Sequence, residues 1–582
     1  TVQEAIFEKI KEDWEEELVV ESLTGHVLAL RWAIEGREGA ALDGVLADGA
    51  RLGLLRPEVG EPRTLAQGVV EREWVLNENG LVGADEWLAA LLPYRAGFAR
   101  LRYVDAEPVT GAYVSERRFE TEIDLGIAGT DPGGGMRFDH GRWRALWDRV
   151  GGAADVPGSW RLALLEPVAM KTVTSASVHF VEATLAAFRG TSADPRLASR
   201  STLNTIGRPS LAVGDIDLDG DPDLVHTLPL RLFMNRGDGT FEESDRLLGI
   251  KDSPNLVGVL INDFTRDGLP DIFLGARTGN SLLVQRRDGS FVVRPVPPGN
   301  DRTRGTNQAS LAARDVDGDG WLDVYVCAHG DLEPGPESAD DALNGHENSI
   351  LRGLPDGGFE PVTELWGLDV ERTRWSLAAD WADVDDDGDD DLYVANDFGR
   401  NVLYIREDRD GHPWFRAEVE TPSKELATGF SMNATFADLD GDLDLDMFIT
   451  NMESKEAARL LSMPGAPRAG TATRMVWDMM SRGNSVLLDE GTALVQAPAE
   501  RGATEGNWGW GAVAFDYDHD GDLDIAHVNG YVSSGIDDGR DQDSIWWRYG
   551  VSEYGRAGGR SPGYRIGIQR NMTKGWSLSG FE

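Results

Sequence analysis

The chain has 582 residues, of which 41% are hydrophobic, so it is long enough for more than one domain. Its 100 acidic residues outnumber its 56 basic residues, which gives a formal net charge of −44. This balance argues against nucleic acid as a partner, because phosphate recognition needs a basic face. No stretch approaches the roughly 20 consecutive apolar residues that a transmembrane helix requires.

Residues 1–195 contain no internal repeat. Apolar residues recur at helical spacing over residues 2–34, and we predict a second helix over residues 40–54. Segments typical of strands follow at residues 69–76, 97–109, 113–125, 160–165 and 173–187. Helices followed by long antiparallel strands predict an α+β domain over residues 1–195. This order resembles that of the nuclear-transport-factor-2-like (NTF2-like) or cystatin-like roll.

The residue pattern changes after residue 205, where Gly, Asp and Asn separate short apolar runs. This pattern indicates an all-β repeat architecture over residues 205–582. The lone cysteine, Cys327, lies in one of the apolar runs, which predicts a buried structural thiol and no internal disulfide.

A loop of the form D-x-D-x-D-G-x-x-D precedes many of these apolar runs. Four copies keep Asp at loop positions one, three, five and nine and Gly at position six. They contain Asp215, Asp217, Asp219 and Asp223; Asp315, Asp317, Asp319 and Asp323; Asp383, Asp385, Asp387 and Asp391; and Asp516, Asp518, Asp520 and Asp524.

Two further copies deviate from this form. One has a hydroxyl at position three and contains Asp263, Thr265, Asp267 and Asp271. The other contains Asp438, Asp440, Asp442 and Asp446 and has Leu443 at position six, where a Cβ resists the left-handed conformation that Gly accepts.

The spacing suits a hard cation. Ca²⁺ takes six to eight oxygen ligands, and carboxylates at alternate positions of a tightly curled loop converge on one point. Asp at position nine then closes the site from the start of the next strand. An EF-hand would need flanking helices and a Glu at position twelve, and Mg²⁺ fits worse because it demands octahedral geometry. We therefore predict about six structural Ca²⁺ ions, one in each loop.

The loops start at residues 215, 263, 315, 383, 438 and 516, so 48–78 residues separate successive copies. That interval leaves room for about four short strands, as in the blade of a β-propeller. A Gly-containing turn followed by Phe recurs after several loops, for example at 239–241 and 289–291.

The Asp-rich loops and the Gly-containing turns followed by Phe resemble the FG-GAP/VCBS repeats of integrin-α-like propellers. Residues 508–524, with two Trp-Gly pairs before the last loop, are similar to the cartilage-acidic-protein-like (CRTAC, ASPIC/UnbV type) group of secreted proteins, although no ASPIC/UnbV segment is visible. The resemblance implies a calcium-binding propeller of seven blades on an exported protein. Since six metal loops are visible, the seventh blade would lack metal and would be closed by residues 195–212 and 563–582.

Three functions remain open on the sequence. The first is a non-enzymatic binding, adhesion or scaffold protein, with a protein or glycan partner at insertions such as 452–483 and 530–565, the second of which carries Trp546, Trp547, Tyr549 and Tyr554. The second is a structural subunit of a larger envelope or surface assembly. The third is a carbohydrate-active lyase or hydrolase on a propeller scaffold, although no catalytic motif is visible and we name no catalytic residue.

Location outside the cytoplasm follows from the predicted metal. Numerous weak calcium loops are filled where calcium is millimolar, which predicts a secreted, extracellular or periplasmic protein. A signal peptide is not part of the numbered chain, which begins at Thr1.

Overall fold

The structure is a computed structural model. It describes residues 15–37, 42, 44–55, 59–66, 68–76, 80–154, 156, 158–176, 183–193, 210–227, 229–247, 250, 256–276, 279–297, 307–330, 337, 341–418, 428–453, 458–459, 461, 478, 481, 483–489, 494–497, 509–517 and 521–529. The chain divides into two compact units, of which the first contains Thr1–Val181 and the second contains Glu182–Ser454 and Arg468–Val532. None of the helices in the described ranges is long and apolar enough to cross a membrane.

Between residues 15 and 176, the described part of the first unit contains two helices and an eight-stranded sheet. The helices are α1 (Glu15–Glu35) and α2 (Ala84–Arg95). The strands are β1 (Leu46–Gly53), β2 (Arg63–Ala66), β3 (Val69–Glu73), β4 (Leu81–Val82), β5 (Arg100–Ser115), β6 (Arg118–Thr130), β7 (Met136–Arg149) and β8 (Trp160–Ser175). The main path of the sheet runs β2-β3-β8-β7-β6-β5, and β1 pairs with β8 and β4.

Strand β6 shows how this sheet forms its core. Its residues alternate between buried and partly exposed, and the buried set includes Phe119, Ile123 and Ile127. This period of two is what a strand with one covered face requires. Helix α1 contacts β5 and buries Leu23 and Leu30.

The predicted second helix over residues 40–54 is wrong, because this part of the chain contains strand β1. Gly44 and Gly49 adopt φ angles of +82° and +74°, which no α-helix contains. Helix α2 and strand β7 were not predicted from the sequence. Of the first predicted helix, residues 2–14 lie outside the described ranges, and the rest forms α1.

The described residues of the second unit contain five four-stranded antiparallel sheets and two further pairs of strands. Sheets one to three contain β9 (Leu211–Gly214), β10 (Asp223–Thr227), β11 (Leu230–Asn235) and β12 (Phe241–Ser244); β13 (Leu256–Asn262), β14 (Asp271–Ala276), β15 (Asn280–Gln285) and β16 (Phe291–Val296); and β17 (Asn307–Arg314), β18 (Asp323–His329), β19 (Ser349–Gly353) and β20 (Phe359–Pro361).

The remaining sheets follow in chain order. Sheet four contains β21 (Trp375–Ala382), β22 (Asp391–Asp397), β24 (Val402–Arg409) and β25 (His412–Glu418), and β23 (Gly399–Arg400) pairs separately with β26 (Thr428–Gly429). Sheet five contains β27 (Ser431–Ala437), β28 (Asp446–Asn451), β29 (Ser485–Asp489) and β30 (Leu494–Gln496), and the final pair is β31 (Gly509–Phe515) and β32 (Asp524–Asn529). A short α-helix, α3 (Thr184–Ala187), and a 3₁₀-helix (Asp245–Leu247) are also present.

Neighbouring sheets share their hydrophobic cores. One cluster joins Val225 and Leu232 of the first sheet to Ile272 of the second, and another joins Tyr325 of the third to Leu392 of the fourth. The first strands also meet in series, since each of β9, β13, β17, β21 and β27 contacts the first strand of the next sheet. The sheets therefore pack one after another in chain order. Cys327 lies in the cluster between sheets three and four, which confirms the predicted buried thiol.

Buried side-chain amides and hydroxyls also link sheets four and five. Asn401 accepts a hydrogen bond from the backbone N–H of Asn396 at 2.8 Å and donates to Ser431 Oγ at 2.9 Å. Ser431 in turn donates to Asn451 Oδ1 at 2.7 Å. The same arrangement joins Asn348 to Ser376 between sheets three and four. We call these contacts the Asn–Ser links.

Candidate metal sites

Each Asp-rich loop connects the first strand of a sheet to the second. In all six copies the Asp at position one follows directly on the first strand, and the Asp at position nine begins the second. Asp383, for example, follows the end of β21 at Ala382, and Asp391 begins β22. The strand predicted after each loop is thus confirmed, and the two ends of the loop are held by a paired β-ladder.

The Asp at position one organises the turn. In the fourth loop Asp383 Oδ2 accepts a hydrogen bond from the backbone N–H of Gly388, at position six, at 2.9 Å. The equivalent bond is present in all six loops, at 2.9–3.2 Å. These bonds curl each loop back on its first residue.

The Asp at position nine fastens the loop to its sheet. Asp391 is 1% exposed; its Oδ2 accepts from the backbone N–H of Val384 at 3.0 Å and its Oδ1 from that of Arg406, in the third strand, at 2.8 Å. All five complete sheets have this bond to Oδ1. Position nine therefore has a structural role, as the acceptor of two backbone N–H groups, that was not predicted from the sequence.

Carboxylates at positions one, three and nine converge in four loops. Within each set, one ligand atom from each residue lies within 4.8 Å of the others. The sets are Asp215, Asp217 and Asp223; Asp315, Asp317 and Asp323; Asp383, Asp385 and Asp391; and Asp438, Asp440 and Asp446.

Position five, which we also predicted as a ligand, is not part of these sets. In the five loops where it is described, its carboxylate accepts a hydrogen bond from the backbone N–H of position seven, as Asp387 does from Asp389 at 3.2 Å.

In the second loop, Thr265 replaces the carboxylate of position three, and its hydroxyl donates to Asp271 Oδ2 at 2.9 Å. In the last loop, Asp518 and Asp520 lie outside the described residues.

Two loop positions adopt the left-handed conformation. Position six does so as Gly in most loops, and Leu443 matches it with φ +81°. Position four does so as well, with φ of +60° at Leu218 and +55° at Arg266. The left-handed conformation at position four was not predicted, although Gly318 and Gly441 at that position are a visible signal of it.

The electrostatics of the loops favour a bound cation. Burial raises the pKa of Asp323 and of Asp391 to about 7, and the neighbouring loop carboxylates add to the rise. Asp315 Oδ1 is buried and has no hydrogen-bond partner among the described residues. Converging hard oxygens with an unpaired carboxylate oxygen fit Ca²⁺, and a divalent ion would offset the mutual repulsion of the three charges.

Comparison with solved structures gives distant similarities. An Agrocybe aegerita lectin, studied for its recognition of non-reducing terminal N-acetylglucosamine, is 15% identical over 56% of this chain and 75% of its own, with a TM-score of 0.36. The V. cholerae biofilm matrix protein Bap1 is 13% identical over 50% of this chain and 38% of its own (TM-score 0.26). The Photorhabdus luminescens Tc holotoxin pore is 15% identical over 66% of this chain and 15% of its own (TM-score 0.22).

Comparison of the sequence gives a more specific result. No curated protein matches the chain significantly. Residues 263–326 and 383–449, however, match the FG-GAP-like repeat family. The first range spans the second loop and runs through the third into β18, and the second range spans the fourth loop and runs through the fifth into β28. The chain therefore carries FG-GAP-like repeats in two places, and both contain the Asp-rich loops.

Proposed function

We propose that this protein is a calcium-stabilised β-propeller that acts as a binding or scaffold protein outside the cytoplasm. The observation that carries the proposal is the convergence of carboxylates at positions one, three and nine in four of the loops. Ca²⁺ would be held by those carboxylates and by further oxygens of each loop, including position five and the Thr265 hydroxyl. The ion supplies a compact positive charge that ties the loop shut.

The series of sheets supports the propeller. A closed ring places the first strand of every blade at its centre, and the first strands here contact one another in order. Both ends of the series expose apolar residues, with Val213 of β9 61% exposed and Val513 of β31 53% exposed. A seventh, metal-free blade would cover both ends; residues 194–209 and 531–582, which include most of our predicted closing segments, lie outside the described residues.

The binding role is supported by architecture rather than by an identified ligand. Propellers offer rigid end faces on which insertions form binding surfaces. We propose a protein or glycan partner for these faces; the aromatic residues 546–554 that we singled out lie outside the described residues. We also propose that an α+β domain, an NTF2-like or cystatin-like roll, precedes the propeller, with the boundary near residues 195–205.

Calcium removal tests the proposal. We expect the purified protein to bind about six Ca²⁺ ions in a calorimetric titration, and a chelator to lower the melting temperature by about 10 °C or more, because apo loops leave like charges together. Readdition of Ca²⁺ should restore the melt and Mg²⁺ at equal concentration should not. An identical melt in chelator and in millimolar Ca²⁺ would overturn the calcium part of the proposal.

A further inference from the structure

The third loop differs from the first and the fourth because an arginine side chain is hydrogen-bonded to its cluster of carboxylates. Arg352, in strand β19, donates from Nε to Asp317 Oδ2 at 2.5 Å and from Nη2 to Asp319 Oδ2 at 2.7 Å. Asp317 is the position-three member of the cluster and Asp319 is position five. The guanidinium thus neutralises carboxylates that the proposed calcium site would use.

The corresponding contacts in two other loops are weaker or lie elsewhere. In the first loop, Arg246 Nη2 is 3.8 Å from Asp217 Oδ2, beyond hydrogen-bond range. In the fourth loop, Arg406 pairs with Asp389 at 3.1 Å, and Asp389 is outside the cluster. Among these three loops, the third is the one in which a cation is hydrogen-bonded to a clustered carboxylate.

We propose that Arg352 is an affinity-setting residue that makes the third loop the weaker calcium site beside the first and fourth. A divalent ion bound by Asp315, Asp317 and Asp323 would meet a fixed positive charge a few ångströms away, or would have to displace it from two carboxylates. Either route lowers affinity by on the order of tenfold at moderate ionic strength. The inference rests on the proposed function, because it concerns the relative affinity of the same loops.

The third loop also contains its own spectroscopic reporter. Trp321 occupies position seven, and its backbone N–H donates to Asp319 Oδ1 at 2.9 Å. Terbium(III) takes the same oxygen ligands as Ca²⁺ and emits when an adjacent indole is excited. The chain has 18 tryptophans. The Trp321 ring also faces Arg266 of the second loop, 5.5 Å from the ring centroid. The signal of the third loop is therefore the part of the Trp321-dependent emission that is also lost in Asp315→Ala.

The test titrates the full chain and its variants with terbium and follows the Trp321-dependent emission. Arg352→Gln should tighten terbium binding at this loop about tenfold, whereas Arg352→Lys, which keeps the charge, should remain near the parent value. Arg416→Gln is the matched control, since Arg416 of strand β25 pairs with Glu407 of β24 and Glu418 of β25 and, among the described residues, with no loop carboxylate. It should change the affinity less than twofold.

The outcomes separate this inference from the proposed function. Unchanged or weaker terbium binding in Arg352→Gln, with Trp321-dependent emission still displaced by Ca²⁺, would overturn the role of Arg352 and leave the calcium loops standing. If no variant shows Trp321-dependent emission and chelator does not change the melting temperature, both the role of Arg352 and the proposed calcium loops are overturned. Circular dichroism of each variant checks that the fold is retained.

Discussion

The two ends of the second strands carry different polar chemistry. Strand β22 begins at Asp391, beside two further carboxylates, and reaches Asn396 near its other end, where amides and hydroxyls bond to one another. The loop end concentrates like charges, so its stability depends on what neutralises them. The opposite end pairs donors with acceptors inside the protein and needs no ion. One strand thus joins a contact that we propose to depend on calcium to a contact that requires no ion.

The largest effect of a single substitution is expected for Asp391→Ala. Its carboxylate accepts two backbone N–H groups, from Val384 and Arg406, in addition to its proposed role toward calcium. Removing the carboxylate leaves both N–H donors without an acceptor and should cost about 3 kcal/mol of unfolding free energy even in chelator. Urea denaturation with and without calcium measures the two contributions separately.

Asp387→Ala is the matched control at the same loop. Asp387 is exposed and accepts one N–H, from Asp389. We expect it to cost less than about 1 kcal/mol in chelator. Equal losses for the two variants in calcium-free buffer would show that position nine has no structural role beyond the ion, which would break the comparison.

A smaller effect is expected at the other end of the strands. Asn401→Ala leaves the Asn396 N–H without its acceptor and removes the bond to Ser431, at a cost of about 2 kcal/mol. The loss should be the same in calcium and in chelator, because no cation takes part. Asn235→Ala is the exposed control: it removes a bond to the Pro222 carbonyl of the first loop and a bond from the Gly237 N–H in the following hairpin, and it should cost about 0.5 kcal/mol. A loss at Asn401 that appears only without calcium would show that the two ends are coupled.

The positions of the loops could be predicted from the sequence because that information is local. Asp and Gly at fixed spacing within nine residues determine where each loop lies and which strand follows, and Asp383, Gly388 and Asp391 occupy the places that this spacing implies. The left-handed position four was missed because Leu218 and Arg266 are residues that avoid that conformation.

Other features could not be predicted because they join residues far apart in the chain. Asn401 and Ser431 are 30 positions apart and meet across two sheets, and Arg352 reaches Asp317 from 35 positions away. In the first unit, the apolar spacing over residues 40–54 satisfied a helical pattern, but Gly44 and Gly49 and the pairing of β1 with β8 decided for a strand. Periodicity alone does not contain that tertiary choice.

The smallest effect is expected at Leu443 and has the opposite sign. Leu443 is 91% exposed and adopts φ +81°, so its side chain adds strain without adding core packing. Leu443→Gly should relieve that strain, and after the greater entropy of Gly in the unfolded chain is subtracted, the gain is about 0.5 kcal/mol. Leu445 lies two positions further along the same loop, and its backbone φ is not positive. Leu445→Gly therefore relieves no strain and should instead destabilise the protein. If urea midpoints fall equally for both variants, Leu443 is not strained, and the fifth loop closes as easily with Leu as the others do with Gly.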